Sequence, residues 1–406
     1  MLPDGIVNNR RRIIELLVAR GPLSRTDLAR LTHLSKPAIS GIVAELLGEK
    51  IVVEGGEGDS TGGRKPIMLR LGGTRKVAVG VEIDAHLSRF LLVTLDGEPL
   101  ARGERPTPAR PEELPETIAA GLDELLGGPP ARMPIGCGVA IPGLVDVGRG
   151  TVDFADRLGW RGVPLRDLLQ ARLDIPVMVT DRGKAAALGE LWHLDHRERD
   201  NLIYIYLGCG VAGAIILGNA LHLGPSHTAG EIGHMVVDPS GPRCECGRRG
   251  CLEAHISTTA LLARARRLLA DGRATTLAPA LRRGASDDSA ITAIGVAAAR
   301  GDGLALELVA YVARWLGQAL ANLVNAINPA LIVLGGPLAA WGDVLVPSIE
   351  RQLDLQALPV PRQAVRVATS QAEEGAALGA AVLVLQRAGE ILANSRLLAR
   401  IGDRDH

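Results

Sequence analysis

Apolar and polar positions divide the chain into a short helical start and a longer body in which strand-like and helix-like segments alternate. In the start, apolar residues recur at helical spacing in three short stretches, and Gly21-Pro22 forms a turn after the first. Ser24 and Asp27 form a capping-box pattern before the second stretch, and Ser35 caps the third, which carries Pro37 in its first turn. Three short helices with a tight turn before the last predict a helix-turn-helix.

The segment after the third helix predicts a wing. Residues 51–54 and 67–71 are strand-like and are separated by a glycine-rich polar loop, so we expect them to pair as a hairpin. Basic side chains near its tip suit contact with phosphates or with a minor groove. The candidate DNA contacts are Arg25, Ser35, Lys36, Pro37, Ser40, Arg64 and Lys65. The alternative is a three-helix bundle that only packs against its neighbour.

From residue 76 onward the pattern is that of an α/β protein with two similar halves, each opening on antiparallel strands. Strands are predicted at residues 77–83, 88–95, 135–141, 177–179, 202–207, 212–217, 331–334 and 365–368. Helices are predicted at residues 111–126, 165–173, 184–192, 258–269, 304–325 and 374–385. The tail after Arg387 is polar and is expected to pack loosely.

Composition and charge narrow the classes of protein that fit this pattern. Of 406 residues, 47% are hydrophobic, enough for a sizeable core, while 2% aromatic residues argue against binding surfaces of stacked rings. Residues 1–75 contain 12 Lys or Arg and 8 Asp or Glu, a net charge of +4, and the remaining 33 and 37 give a net charge of −4. A basic head on an acidic body suggests that the head contacts nucleic acid.

The start of the sequence has no signal-peptide pattern. One long uncharged run further along the chain is unsuited to crossing a membrane. That run, residues 202–218, carries four glycines and breaks into two strand-like pieces at Gly208-Cys209-Gly210. The sequence therefore predicts a cytoplasmic protein without a membrane span. In that compartment, five cysteines indicate metal binding rather than disulfides.

Four residues have the spacing of a metal site. His234, Cys244, Cys246 and Cys251 follow the pattern H-x9-C-x-C-x4-C. Three thiolates and one imidazole suit tetrahedral zinc, and four protein ligands leave no open position, so the predicted zinc is structural. The alternative is that these are reduced free cysteines.

Several motifs together resemble the ROK family of repressors and sugar kinases. They are Gly230-Glu231-Ile232-Gly233-His234-Met235, Gly250-Cys251-Leu252-Glu253, Ile141-Pro142-Gly143, Leu158-Gly159-Trp160 with Val163-Pro164-Leu165, residues 185–190, and Ile332-Val333-Leu334-Gly335-Gly336. With a winged head in front, the sequence is similar to the repressor branch of that family. The resemblance implies a two-lobed actin-like ATPase fold, of the sugar kinase and Hsp70 type, with a sugar-binding cleft between the lobes.

The resemblance also implies that Glu231, His234 and Glu253 contact sugar hydroxyls. Carboxylates accept hydrogen bonds from vicinal hydroxyls, and an imidazole held by zinc keeps its other nitrogen free. The alternative is that Glu231 and Glu253 only support the zinc loop.

Departures from the family pattern argue against kinase activity. Family kinases carry Asp-x-Gly-Gly-Thr in a phosphate loop, and the matching stretch here, Glu82-Ile83-Asp84-Ala85-His86, has no glycine and presents a carboxylate to phosphate. Residues 208–214, the second phosphate loop, keep three glycines but lack the usual threonine. The catalytic base falls on Arg182, whose pKa above ~12 prevents that role, although a shift of one residue would select Asp181. An active sugar kinase with an added head is the alternative.

The same departures change the expected effector. A family asparagine falls on Arg157, so Arg157, Asp181 and Arg182 lie in or beside the expected pocket. Two arginines suit a carboxylate or phosphate, which predicts an acidic or phosphorylated sugar. Alternatively, the arginines pair with Asp156, Asp181 or Glu190 and close the pocket.

Taken together, the sequence predicts a zinc-containing transcriptional regulator, most simply a repressor, controlled by a sugar-type effector. Residues 1–75 form the DNA-binding domain, residues 76–198 the first lobe, completed by a helix near 372–388, and residues 199–371 the second lobe. One winged head gives little specificity, so we expect a dimer or tetramer on an inverted repeat in double-stranded operator DNA.

A long apolar helix, residues 304–325, is a candidate for the dimer interface. Its helically spaced apolar residues are Val309, Val312, Leu316, Leu320 and Leu323. They would supply part of that interface or would simply belong to the core.

Overall fold

The chain folds into two compact units, and the second is inserted into the first. The computed structural model describes residues 4–57, 65–127, 132–194, 200–282, 286–372 and 374–393. The first unit comprises Met1–Trp192 and Glu374–His406, and the second comprises His193–Glu373. The chain therefore leaves the first unit after Trp192 and returns to it at Glu374.

The first unit begins with the winged helix-turn-helix that the sequence predicts. Its elements are α1 (Asp4–Arg20), β1 (Leu23–Ser24), α2 (Arg25–Thr32), α3 (Lys36–Gly48), β2 (Val52–Glu57) and β3 (Ile67–Leu71). The three strands form an antiparallel sheet in the order β1-β3-β2. The capping box is present, since the Ser24 hydroxyl accepts from the N–H of Asp27 and the Asp27 carboxylate accepts from that of Ser24.

A partly buried ion cluster connects this head to the first strand of the body. Arg10 in α1 donates to both carboxylate oxygens of Glu49, at 2.8 and 2.9 Å, just after α3 ends. Lys76, the first residue of the next strand, lies 3.8 Å from the same carboxylate. Because α1, the end of α3 and the body meet at Glu49, the head packs as part of the first unit.

The body of the first unit is a five-stranded sheet flanked by helices and by a small second sheet. Its elements are β4 (Lys76–Ile83), β5 (Leu87–Thr94), β6 (Pro99–Pro106), α4 (Leu114–Leu126), β7 (Met133–Ile141), β8 (Leu144–Asp146), β9 (Thr151–Ala155), β10 (Trp160–Val163), α5 (Leu165–Gln170), β11 (Val177–Asp181) and α6 (Arg182–His193). The strand order is β11-β7-β4-β5-β6. β4, β5 and β6 form an antiparallel meander, and β7 and β11 continue the sheet in parallel.

The second unit has the same strand order. Its elements are β12 (Asn201–Leu207), β13 (Val211–Leu217), β14 (Ala220–Leu221), α7 (Leu252–Ile256), α8 (Thr258–Ala270), α9 (Asp287–Ala299), α10 (Gly303–Ile327), β15 (Leu331–Gly335), α11 (Gly342–Gln356), α12 (Pro359–Ala364) and β16 (Arg366–Thr369). The order β16-β15-β12-β13-β14 again joins two parallel strands to an antiparallel meander. The predicted α/β pattern of two similar halves is confirmed.

The long helix α10 belongs to the core of the second unit. Its five helically spaced apolar side chains, Val309, Val312, Leu316, Leu320 and Leu323, are all buried within the chain. Of the two roles predicted for this helix, the core role holds, because these side chains are not exposed for a partner. α10 is long and apolar enough to cross a membrane, yet 67% of its apolar window is buried inside the unit, as in other core helices.

Two helices complete the first unit after the chain returns. They are α13 (Gly375–Gln386) and α14 (Ala388–Ala393). α13 lies directly on β4 and β7, where a Cβ added at Gly80 or Gly138 would stand 1.8 Å from a backbone oxygen of the helix. Only glycine permits this approach, so these two positions set the distance between helix and sheet.

The expectation of a loosely packed tail is wrong for residues 388–393. These residues form α14, which packs against α1 and buries Ala388, Ile391 and Leu392. Six residues are too few to show a helical period, and only the tertiary contact with α1 gives them a buried side. Residues 394–406 lie outside the described part of the chain.

Asp302 caps α10, and we expect this cap to make the second unit less stable in acid. Its carboxylate accepts from the N–H groups of Ala305 and Thr276 and from the hydroxyls of Thr275 and Thr276. Although burial opposes the shift, these hydrogen bonds lower the pKa of Asp302 to about 2. The folded pKa is below the unfolded value of about 4, so the stabilisation is present above pH ~4 and is lost between pH ~4 and pH ~2.

Asp302→Ala should therefore lower the free energy of unfolding of the second unit by about 2 kcal/mol at neutral pH and by much less near pH 2. Urea denaturation of the full-length protein measures the loss. Ser286→Ala is the matched control, because Ser286 caps α9 through one 3.5 Å contact and carries no titratable group. A loss that is the same at pH 7 and pH 2 would contradict this assignment.

Candidate functional site

The third helix of the head presents a short polar edge. Lys36, Pro37 and Ser40 are exposed, whereas Ile39 and Val43 on the other side of α3 are buried. Ser35 caps the helix by accepting from the N–H of Ala38 at 3.4 Å. The predicted DNA contacts on α3 are thus accessible, and the helix begins with a cationic side chain that suits a phosphate.

The remaining predicted DNA contacts lie on α2 and in the wing. Arg25 is paired with Glu54 of β2 at 3.1 Å, so its charge is partly neutralised within the head. Lys65 is exposed just before β3. Arg64 lies outside the described residues.

The four predicted metal ligands come together in the second unit. One ligand atom each from His234, Cys244, Cys246 and Cys251 lies within 4.8 Å of all the others. The sulfurs of Cys246 and Cys251 are 3.7 Å apart, and Nδ1 of His234 is 3.7 Å from the sulfur of Cys244. Tetrahedral zinc with Zn–S bonds of ~2.3 Å places two sulfurs ~3.8 Å apart, so the four side chains fit zinc.

The environment of the cluster explains why the Cys244 thiol would need a bound cation in order to lose its proton. Burial raises the pKa of the Cys244 thiol to about 12, so without a cation this thiol keeps its proton at neutral pH. A divalent ion would displace that proton and hold the thiolate. With all four positions filled by protein, the ion would act as a cross-link between the loop at His234 and the start of α7.

Glu253 connects this cluster to the turn between β12 and β13. One carboxylate oxygen accepts from the N–H of Val211 at 2.9 Å, and the other lies 3.8 Å from the sulfur of Cys244. Glu253 therefore links Cys244 of the cluster to the first residue of β13. Glu231 is exposed and His234 is partly exposed. The backbone N–H of His234 donates to the carbonyl of Glu231 at 3.1 Å, and Glu253 reaches the same cluster through Cys244.

In the first unit, Arg182 forms a buried ion-pair network. Its side chain lies 3.1 Å from a carboxylate oxygen of Glu82 and 3.3 Å from one of Asp84, and it donates to the carbonyl of Ile83 at 3.1 Å. Burial alone would raise the pKa of Asp84, but the charge of Arg182, with the N–H of Ala85 and the charge of Arg157, lowers it. Arg182 thus ties α6 to the end of β4.

Of the two interpretations of the arginines, the ion-pair interpretation fits Arg182, with partners other than those expected. It pairs with Glu82 and Asp84, neither of which was among the expected partners. Asp156 pairs instead with Arg161 at 2.8 Å. Arg157 is exposed and lies near enough to Asp84 to influence that carboxyl.

Asp181 is also neutralised within the protein. It is buried, accepts from the N–H of Lys184, and forms an ion pair with the ammonium of Lys184, which is itself 1% exposed. Lys184 was absent from the predicted site. A lysine inside an otherwise small and apolar helix start, between Gly183 and Ala185, was the available indication of a buried partner.

The fold and these sites define a winged helix-turn-helix head joined to a body of two units with the same sheet topology, one of which carries a cluster of one histidine and three cysteines. The family model described as the ROK family matches residues 78–387. This chain belongs to the ROK family, which confirms the resemblance seen in its motifs.

Similar proteins include both regulators and a kinase. The DNA-binding transcriptional dual regulator NagC of Escherichia coli strain K12 is 30% identical over 381 residues, which cover 93% of this chain and 92% of NagC. A crystal structure of a ROK family transcriptional regulator, a homologue of the E. coli Mlc protein, is 26% identical with a TM-score of 0.80 and covers 98% of both chains. A ROK family glucokinase from Streptomyces griseus, in complex with glucose and AMPPNP, is 30% identical with a TM-score of 0.66 and covers 76% of this chain and 98% of its own.

Proposed function

We propose that this protein is a cytoplasmic transcriptional repressor of carbohydrate-related genes whose affinity for operator DNA is controlled by a sugar-type effector. The observation that carries the proposal is the similarity to regulators over nearly the whole chain, head included, at 93% and 98% of its length. The exposed edge of α3 supports it, since Lys36, Pro37 and Ser40 are accessible at the helix that reads a groove in this class of head.

The proposed effector site includes Glu231, His234 and Glu253 of the second unit. Their carboxylates and imidazole would receive sugar hydroxyls, with His234 oriented by zinc through Nδ1. In the first unit, Arg157 is the residue proposed to receive an acidic group, because Arg182 and Asp181 already have charged partners. The zinc would be structural in this proposal.

We further propose that the protein does not transfer phosphate. A phosphate beside β4 would meet the carboxylates of Glu82 and Asp84, which Arg182 holds in place. The position of the catalytic base carries either Arg182 or an Asp181 whose charge is taken by Lys184. Sugar-dependent ATP turnover that disappears in Asp181→Asn would overturn this part of the proposal.

Sequencing the genomic DNA that co-purifies with the protein tests the proposal directly. We expect a recurrent inverted repeat near transport or glycosidase genes, because a symmetric homodimer or tetramer would place two heads on one operator. Absence of any enriched site would overturn specific DNA binding.

Lys36 should contribute a phosphate contact. Lys36→Ala is expected to weaken binding to operator and unrelated DNA alike and to reduce the slope of log K against log salt by about 0.9. Fluorescence anisotropy at several salt concentrations measures both. Arg300→Ala is the control, since Arg300 is an exposed cation in the second unit. An unchanged salt slope in Lys36→Ala would exclude this contact.

A further inference from the structure

Both points at which the chain passes between its two units are attached to one hairpin, formed by β5 and β6. At the first crossing, the chain leaves the first unit after Trp192, whose indole N–H donates to the carbonyl of Asp96 at 3.2 Å. At the second crossing, the carboxylate of Glu374 pairs with Arg102 of β6 at 2.7 Å. The β5–β6 hairpin therefore holds the outgoing and the returning chain.

The turn of this hairpin is built to receive Trp192. Gly97 has a φ of 83°, and a Cβ added there would lie 2.0 Å from the indole nitrogen. A side chain at this position would therefore displace the indole and strain the turn. Trp192 is thus seated on the turn itself, directly beside Asp96.

The same turn holds the wing of the DNA-binding head. The carboxylate of Asp96 forms an ion pair with Arg70 of β3 and accepts from the hydroxyl of Thr94. The side chain of Arg70 lies across Gly55 of β2, where an added Cβ would stand 2.9 Å from its Nε, so the contact involves both wing strands. One residue, Asp96, receives the wing through its side chain and Trp192 through its backbone.

Trp192 is also mechanically connected to the Arg182 network, because both lie on α6. Residues 182–191 of this helix are buried, and at Gly189 an added Cβ would lie 2.1 Å from the carbonyl oxygen of Gly375 in α13. A helix packed this closely transmits a displacement to its neighbours and along its length. A shift at its start or at the crossing would reach Asp96.

We propose that Asp96, with Trp192 and Arg70, positions the wing according to the conformation of the two segments in which the chain passes between its units. Effector binding would then alter the affinity for DNA through the β5–β6 hairpin. These are positioning residues and need not touch effector or DNA. The inference rests on the proposed function for its biological meaning. The mechanical link itself is independent of any effector and is tested first.

Hydrogen–deuterium exchange of the full-length protein measures the link. Trp192→Phe removes the indole donor and keeps an aromatic ring, and it should raise the exchange of β3 amides about fivefold, the effect of one hydrogen bond. In an Asp96→Asn background, where the pair with Arg70 is already lost, Trp192→Phe should add little at β3. Glu116→Gln, which breaks an exposed ion pair with Arg172 in the same unit, should leave β3 unchanged.

Either of two exchange results would overturn the proposal: no change in β3 with Trp192→Phe, or an equal rise across β4 and β7, which would indicate general loosening.

The second stage uses recovered operator DNA with D-xylose and N-acetylglucosamine as probes. If one releases the wild type, Trp192→Phe should bind that sugar equally well and release DNA at least threefold less; full release would overturn the regulatory role. If neither sugar acts on the wild type, neither is the effector, and the exchange result alone decides the link.

Discussion

Replacing Arg182 by leucine is expected to lower the free energy of unfolding of the first unit by about 3–5 kcal/mol. The substitution leaves the carboxylates of Glu82 and Asp84 without their shared cation at the buried end of β4. Urea denaturation followed by tryptophan fluorescence, to which Trp160 and Trp192 contribute from the first unit, measures the loss. Because the folded pKa of Asp84 is lowered, the contribution of this carboxylate is present above pH ~4 and declines as the pH falls through the lowered pKa.

Two further variants distinguish the network from general damage. Adding Glu82→Gln and Asp84→Asn to Arg182→Leu should recover much of the loss, since no buried charge then remains unpaired. Arg172→Leu should have a much smaller effect, because its pair with Glu116 is exposed. A loss in Arg182→Leu that the neutral carboxyl replacements do not reduce would contradict the ion-pair explanation.

Cys251→Ser is expected to weaken zinc binding by more than ~100-fold, beyond the effect of losing a group that only supports a ligand. With the zinc cross-link lost, the loop from His234 to Cys251 should become accessible to protease and the second unit should unfold at a lower temperature. Metal analysis of purified protein and limited proteolysis with and without chelator measure these effects.

Cys209→Ser is the control for Cys251→Ser, since Cys209 lies in the same unit but outside the cluster. It should retain one zinc per chain and resist protease as the wild type does. Equal metal content in the two variants would show that the cluster of His234 and the three cysteines does not hold the ion.

Buried regular elements were the most predictable part of the fold. The segment 202–207 reads as an apolar run and forms the central strand β12, because a strand covered on both faces needs apolar side chains throughout. The edge strand β6 was missed. It spans Pro99–Pro106, is half exposed and carries three arginine and glutamate side chains, so its pairing with β5 leaves little trace in the sequence.

Whether a site could be predicted depended on how far apart its residues lie in the sequence. The cluster of one histidine and three cysteines was predictable because three of its members lie within eight residues, so local spacing nearly fixes the geometry. The partners of Arg182 were not predictable, since Glu82 and Asp84 are about 100 positions away and reach it only through the pairing of β4, β7 and β11. Long-range pairing of this kind leaves no periodic pattern in a single sequence.

The insertion of the second unit into the first has a consequence for biosynthesis. The sheet of the first unit cannot be covered by α13 until residues beyond 373 have been translated, although β4 and β7 emerge long before. At ~5–20 residues per second, the intervening segment takes roughly 10–40 s to synthesise. During that time the face of the sheet that carries Gly80 and Gly138 is not covered by α13, and α1 is not packed against α14. A chain terminated before α13 and α14 therefore lacks the helices that pack on β4, β7 and α1, so the DNA-binding head can settle against α14 only after synthesis has passed residue 393.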